Sequence, residues 1–224
     1  LNTRDARGVV TLTLNRAQSI AFSAHAAWQL RFYGFTVTPG IRLEAIWGEY
    51  FDRLTGLFQL TEQAQLLPGL GVTYEVIPDL AVFAGIHQGY SPVAPGQPDG
   101  VRPELSWNYE LGTRYGRVDS ATHGELAFFL SDYENITGEC SGAGGCSIDL
   151  VDRMFNGDRA TILGVEAQAT HTVELDELSF PLRGTYTWTW TRMRSGFVSE
   201  SPQFGAVEEG DHLPYIPEHQ LTIG

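Results

Sequence analysis

Glu104-Leu105-Ser106-Trp107-Asn108-Tyr109-Glu110-Leu111-Gly112-Thr113-Arg114-Tyr115-Gly116 is the stretch that decides the fold. Successive side chains of an extended strand point to opposite faces. Leu105, Trp107, Tyr109, Leu111, Thr113 and Tyr115 therefore share one face, and Glu104, Ser106, Asn108, Glu110 and Arg114 share the other. The run is about twice as long as an ordinary soluble strand of about 5 or 6 residues, and it suits a bilayer-crossing strand of about 9 to 11. An unbroken apolar face backed by a polar one is how a membrane barrel strand reads, with lipid on one side and an aqueous lumen on the other.

The same alternation recurs outward from this stretch. Between Ile20 and Phe32 the even positions are apolar, and between Phe35 and Trp47 the odd ones are. Further strands are predicted near 66–76, 80–90, 121–133, 160–173, 179–193 and 217–224, with a tenth at Val9–Leu14. Short turns are expected at Tyr33-Gly34, Ile77-Pro78-Asp79, Arg117-Val118-Asp119-Ser120 and Leu175-Asp176-Glu177-Leu178. Long polar loops are expected at about 51–65, 91–103, 134–159 and 195–216. Outer-membrane barrels have this asymmetry, with short periplasmic turns and long extracellular loops. Aromatics such as Phe32, Trp47, Tyr90, Tyr115, Tyr133, Trp188 and Trp190 gather near strand ends, as an interfacial girdle does. A soluble β-sandwich would also alternate, but it needs neither the strand length nor the loop asymmetry. The expected fold is all-β: a transmembrane antiparallel up-and-down β-barrel. About nine or ten strands leave open edges, which lipid does not tolerate. Residues 1–224 are therefore expected to be part of a single barrel domain, truncated at both ends.

Composition agrees and excludes other classes. The 14 Lys+Arg against 27 Asp+Glu leave a formal charge of −13. Nucleic acid, whose phosphates require a basic surface, is excluded as a partner. Charged residues make up 18% against about 25% in a typical soluble domain. No window of about 18 apolar residues offers a transmembrane helix. Neither a nucleophile elbow nor a Gly-rich phosphate loop is present, and Glu104, Glu110 and Arg114 are too far apart along one strand for acid–base chemistry. The expectation is a protein that is not an enzyme and needs no cofactor. Cys140 and Cys146 lack the neighbouring ligands of a metal site; they fit a disulfide in an oxidising compartment, with two free thiols as the alternative. Asp149, Asp152 and Asp158 do not follow the spacing of a Ca²⁺ loop, and no metal site is expected.

Several phrases carry a resemblance. Ala84-Gly85-Ile86-His87-Gln88-Gly89-Tyr90-Ser91-Pro92, followed by Pro95-Gly96 and then Arg102-Pro103-Glu104 through Tyr115, resembles a stretch of TonB-dependent receptors, especially those like the ferric-dicitrate receptor. Thr38-Pro39-Gly40-Ile41-Arg42-Leu43-Glu44, Gly164-Val165-Glu166 and Leu213-Pro214-Tyr215-Ile216-Pro217-Glu218-His219-Gln220 resemble further strands of that family, and all run in family order. The resemblance implies a 22-stranded outer-membrane barrel around an N-terminal plug that this chain does not include. It implies uptake of a ferric siderophore or a ferric citrate-like chelate, energised through TonB-ExbB-ExbD. Outer-membrane lipid and lipopolysaccharide would surround the wall. A passive porin-like channel, or a receptor for cobalamin, haem or an oligosaccharide, is the alternative.

Under that resemblance, His87, Gln88 and Tyr90 lie where a strand rises toward the surface rim and are candidates for the chelate pocket. An anionic chelate calls for guanidinium groups, which match carboxylate geometry. Arg102, Arg153, Arg192 and Arg194 are the expected ligand residues, with Arg53 and Arg159 as further candidates. Arg192 and Arg194 top a long strand and are expected on the lumen side, with Trp188 and Trp190 facing lipid.

Overall fold

A computed structural model describes Thr3–Arg4, Val10–Thr11 and residues 14–117, 119–199, 201–202 and 204–224. All regular structure in these residues is β. Nine strands form one antiparallel meander: β1 (Asn15–Ala27), β2 (Phe35–Asp52), β3 (Phe58–Ile77), β4 (Leu80–Ser91), β5 (Glu104–Tyr115), β6 (Thr122–Glu134), β7 (Ala160–Leu175), β8 (Leu178–Met193) and β9 (His219–Ile223). Each pairs with its chain neighbours, so spatial order repeats chain order and the sheet stays open at β1 and β9 among the described residues. Of the strand expected at Val9–Leu14, only Val10–Thr11 forms a strand, pairing with Thr3–Arg4; its other residues, apart from Leu14, lie outside the described ones.

Prolines shape the ladder. Trp28 donates its N–H to the Pro39 carbonyl at 3.0 Å, but Pro39 has no N–H to return. The β1–β2 ladder lapses there and resumes over Leu30–Phe32. The bonding direction alternates along a strand, which aims the missing N–H of Pro68 at β4. The β3–β4 ladder accordingly stops one residue away, at Gly69 opposite His87. Beyond that point β3 continues to Phe58 paired with β2 alone. The two-residue turn Tyr33-Gly34 has φ of 49° and 82°, the doubly positive conformation that matches hairpin twist.

Register assigns the faces. Across β5 to β8 one side carries rows such as Tyr109–Leu130–Leu163–Trp190 and Leu111–Phe128–Val165–Trp188. The other side carries His87–Asn108–Ser131 and Arg114–Glu125–Gln168–Thr185. The apolar rows are exposed or half-exposed, with Leu111 at 60%, which suits contact with lipid. The buried core lies elsewhere. Ala160, Met193 and Leu213 form it at the outer ends of β7 and β8, packed by Tyr133, Ile136, Ile162, Phe197 and Val207.

Two expectations need correction. The long loop at 51–65 is only the short turn 53–57, because Phe58–Leu67 is strand. Arg192 and Arg194 do not face the lumen. Arg192 pairs with Thr161 on the face that carries Trp188 and Trp190, with which it shares parity, while Thr191 and Met193 between them are buried on the inner side.

Candidate functional site

The inner face of the sheet is a polar wall tied across strands. Ser131 Oγ donates to Asn108 Oδ1 at 2.7 Å, and Asn108 Nδ2 donates to Ser106 Oγ at 3.0 Å. Lower on the wall, Arg114 Nε donates to Glu125 Oε2 at 2.7 Å while its guanidinium lies 5.6 Å from the Phe83 ring centre. Arg42 pairs with Glu44, which also accepts from Ser23 Oγ at 3.2 Å. These bonds run along a strand or across to its neighbour, so the charged groups are held by the wall itself and orient toward the lumen.

Above this wall the loops interlock. Where the β3–β4 ladder has ended, Gln63 takes its place: its Nε2 donates to the Val93 carbonyl at 2.8 Å and its Oε1 accepts the Val93 N–H at 2.9 Å. The 92–103 loop then folds back over β2. A β-carbon at Gly48 would lie 2.8 Å from Pro95, and one at Gly96 would strike the Tyr50 ring. Gly96 also has φ of 85°, so both approach and conformation require glycine there.

The same loop grips the next one. Gln97 Nε2 donates to the Asp152 carbonyl at 2.9 Å and its Oε1 accepts from Met154 N. Asn156 accepts the Arg102 N–H at 2.8 Å and donates to the Arg102 carbonyl at 2.9 Å. Thr137–Glu139 and Met154–Asn156 form a small hairpin within that loop, and Cys140 and Cys146 are disulfide-bonded beside it, Cα atoms 5.7 Å apart. Phe155 in turn packs on Phe197 and Phe204 of the 194–218 loop, ring centres 6.4 and 5.4 Å apart. Three loops thus make one cap over the outer end of the wall.

Beneath and beside the cap lie concavities. One of about 570 Å³, lined by His25, Arg42, Glu44, Gly69 and His87, opens where β3 and β4 part. A second of about 290 Å³ lies on the lumen face between His87, Asn108, Glu110, Glu125 and Glu166. His87 borders both, and it is the sequence candidate with the clearest lumen position.

The remaining candidates do not join it. Gln88 and Tyr90 are on the opposite parity, across from Trp107 and Leu105, although the Tyr90 hydroxyl reaches back to Gln63 Oε1 at 3.3 Å. Arg102 and Arg153 are exposed in the cap, and Arg153 lines a separate cavity of about 270 Å³ with Phe155 and Ser201. Arg53 is a turn residue and Arg159 an outer-rim residue. The sequence reading missed Gln63, Gln97 and Asn156. Nothing local marks them, because their role is to meet loops about 30 to 57 positions away.

The sequence matches the family described as TonB dependent receptor-like, beta-barrel, over residues 3–224. Among solved structures, the chain superposes on the unliganded ferric citrate transporter FecA with a TM-score of 0.71 at 22% identity, covering 98% of this chain and 32% of that one. The siderophore receptor PiuA from Acinetobacter baumannii gives 0.73 at 13% identity, covering 93% and 31%. The alcaligin receptor FauA from Bordetella pertussis gives 0.67 at 15%, covering 93% and 34%. The chain spans about a third of the length of these proteins.

Proposed function

Since the chain belongs to the TonB-dependent receptor β-barrel family, we propose that it supplies wall and surface loops to an outer-membrane uptake receptor for a ferric siderophore or ferric citrate-like chelate, driven through TonB. Members of the family are outer-membrane β-barrel transporters of Gram-negative bacteria and not enzymes. The observation that carries the reading is the interlocked cap above a polar wall: a bare channel needs an open mouth, whereas a receptor needs a structured surface to hold its cargo. Ferric citrate, alcaligin and other siderophores are the cargoes named for the solved proteins of this shape, which favours an iron chelate over cobalamin, haem or a glycan.

In this mechanism no covalent bond changes. Cap residues such as Arg102 and Arg153 offer guanidinium donors to chelate carboxylates, and His87 stands on the wall below. The acidic wall residues Glu44, Glu110, Glu125 and Glu166 repel a free anion, so retention falls to the cap and onward movement requires energy from TonB. Iron-limited growth of a strain carrying the full-length receptor, with ferric chelates supplied one at a time, tests the reading. At least one chelate restores growth only with a working TonB. If none does while cobalamin or an oligosaccharide is taken up, the chelate assignment is wrong.

A further inference from the structure

A hollow of about 270 Å³ lies inside the cap itself, apart from the concavities below it, and each of the three interlocked loops supplies part of its wall. Pro98 comes from the first loop, Arg153 and Phe155 from the second, and Ser199 and Ser201 from the third. The wall is held from behind. Cys140, 3% exposed and tied to Cys146, donates its N–H to the Arg153 carbonyl at 2.9 Å. Gln97 fixes the same stretch through Asp152 and Met154, and the Phe155 ring packs on Phe197 and Phe204. The hollow is therefore complete only while the loops are interlocked.

Its free polar groups are donors. Ser201 is 1% exposed, and its Oγ has no hydrogen-bond partner. Ser199 Oγ accepts the Ser201 N–H at 3.1 Å, which leaves its own proton to give. Arg153 brings a guanidinium, which can only donate, and among the described residues it is in no ion pair. The Asn156 amide is already committed to Arg102 and Asn135. In a chain with 27 Asp+Glu, no acid is among the lining residues. A buried hydroxyl left without a partner is costly. Two hydroxyls and a guanidinium with no carboxylate to answer them call for a ligand that brings an anionic oxygen.

Size and the remaining walls narrow the choice. Leu150, Met154, Phe155 and Val198 make the other sides apolar. The volume equals about nine waters at about 30 Å³ each, below the about 300–1,000 Å³ of sites for drug-sized ligands. It suits a single ring or a short chain that ends in one carboxylate.

We propose that this hollow binds a small amphipathic monocarboxylate, with the carboxylate on Arg153, Ser199 and Ser201 and the apolar body against Phe155 and Leu150. A ligand that fits only the interlocked cap stabilises that state by mass action, so it staples the three loops. The site does not depend on which cargo the receptor takes. The test uses purified full-length receptor titrated with benzoate, with benzamide as the neutral analogue and acetate as the anion without an apolar body. Ligand-observed NMR reads affinity, and hydrogen exchange over 137–156 and 197–205 reads the loops. Wild type is expected to prefer benzoate to both controls and to exchange more slowly in those two segments when it is bound. Arg153→Ala weakens benzoate by about tenfold. Ser201→Ala weakens it several-fold yet leaves exchange in the unliganded cap no faster, because it removes a hydroxyl that has no partner. Heat-dependent gel mobility reports an intact barrel, and Ser201→Ala carries the test if Arg153→Ala does not fold. Wild type that does not bind benzoate, or variants that bind it unchanged, overturn the site. Equal binding of benzamide or of acetate overturns the amphipathic carboxylate. Faster exchange in unliganded Ser201→Ala makes the serine a structural residue and also overturns the assignment. Growth on ferric chelates fails independently if only the cargo is wrong.

Discussion

Asp52 shows how one side chain sets a turn. It ends β2, beyond the level where the outward face turns polar at Glu49, and its Oδ1 accepts the Leu54 N–H at 2.8 Å. The Thr55 hydroxyl, followed by the Leu54 amide, holds its carboxyl below the ordinary value of 3.8. A carboxylate with a depressed folded pKa contributes stability above its unfolded pKa and loses it as pH falls through the folded one. Protection of the Leu54 and Thr55 amides in hydrogen exchange is therefore expected to hold from neutral pH down through 3.8 and to drop only below it. In Asp52→Asn the neutral oxygen still accepts and the acid step disappears. A step at or above 3.8 in wild type contradicts the assignment. Residue pairs on the wall follow a different logic. Phe83 covers Gly112 and Phe129 covers Gly164 as direct cross-strand partners, each ring shielding a strand backbone that glycine leaves bare.

At the level of elements, strands were legible and loops were not. β5, β7 and β8 announce themselves because lipid forces every outward side chain to be apolar while the lumen wants polar ones. The outer half of β3 hides. Its outward face includes Glu62 opposite Trp47, above the hydrocarbon, where water relaxes the requirement and Phe58–Leu67 reads as loop. The arginine pair beside Met193 was misplaced for a related reason: a guanidinium suggests the lumen, but above the apolar band the outward face accepts charge too. Loop partnership leaves no periodic trace at all. Asn156 makes both bonds to the Arg102 backbone and a third to the Asn135 carbonyl at 3.2 Å, joining two loops through one amide. Asn156→Ala removes these bonds, each worth about 0.5–1.5 kcal/mol net where water can replace the lost partner. Hydrogen exchange across the 92–103 loop is expected to rise by that measure, with the global unfolding midpoint unmoved. Unchanged exchange there means the loops hold together by other contacts.

For the molecule as a whole, the two faces and the height of the apolar band are one statement about how the wall sits in a membrane. The cap, the wall and the outward arginines stack in that order only if the Trp188 and Trp190 rows mark the upper hydrocarbon boundary and the Leu175–Leu178 turn the lower. This placement predicts a depth profile along the outward face of β7. An arginine at the bilayer midplane of a barrel costs about 2–4 kcal/mol and near an interface about 0–1. Ala169, beside Gly124 and Gly184 on the outward face, stands at the centre of the band, and Leu163, between Leu130 and Trp190, stands at its upper edge. In the full-length receptor refolded into bilayers, Ala169→Arg is expected to lower the denaturant midpoint strongly. Val165→Arg lowers it less, and Leu163→Arg least. Glu166→Arg, one residue from Val165 but facing the lumen, tests the face independently of depth and is expected to cost less than its neighbour. A flat profile, or one that peaks at Leu163, places the hydrocarbon elsewhere.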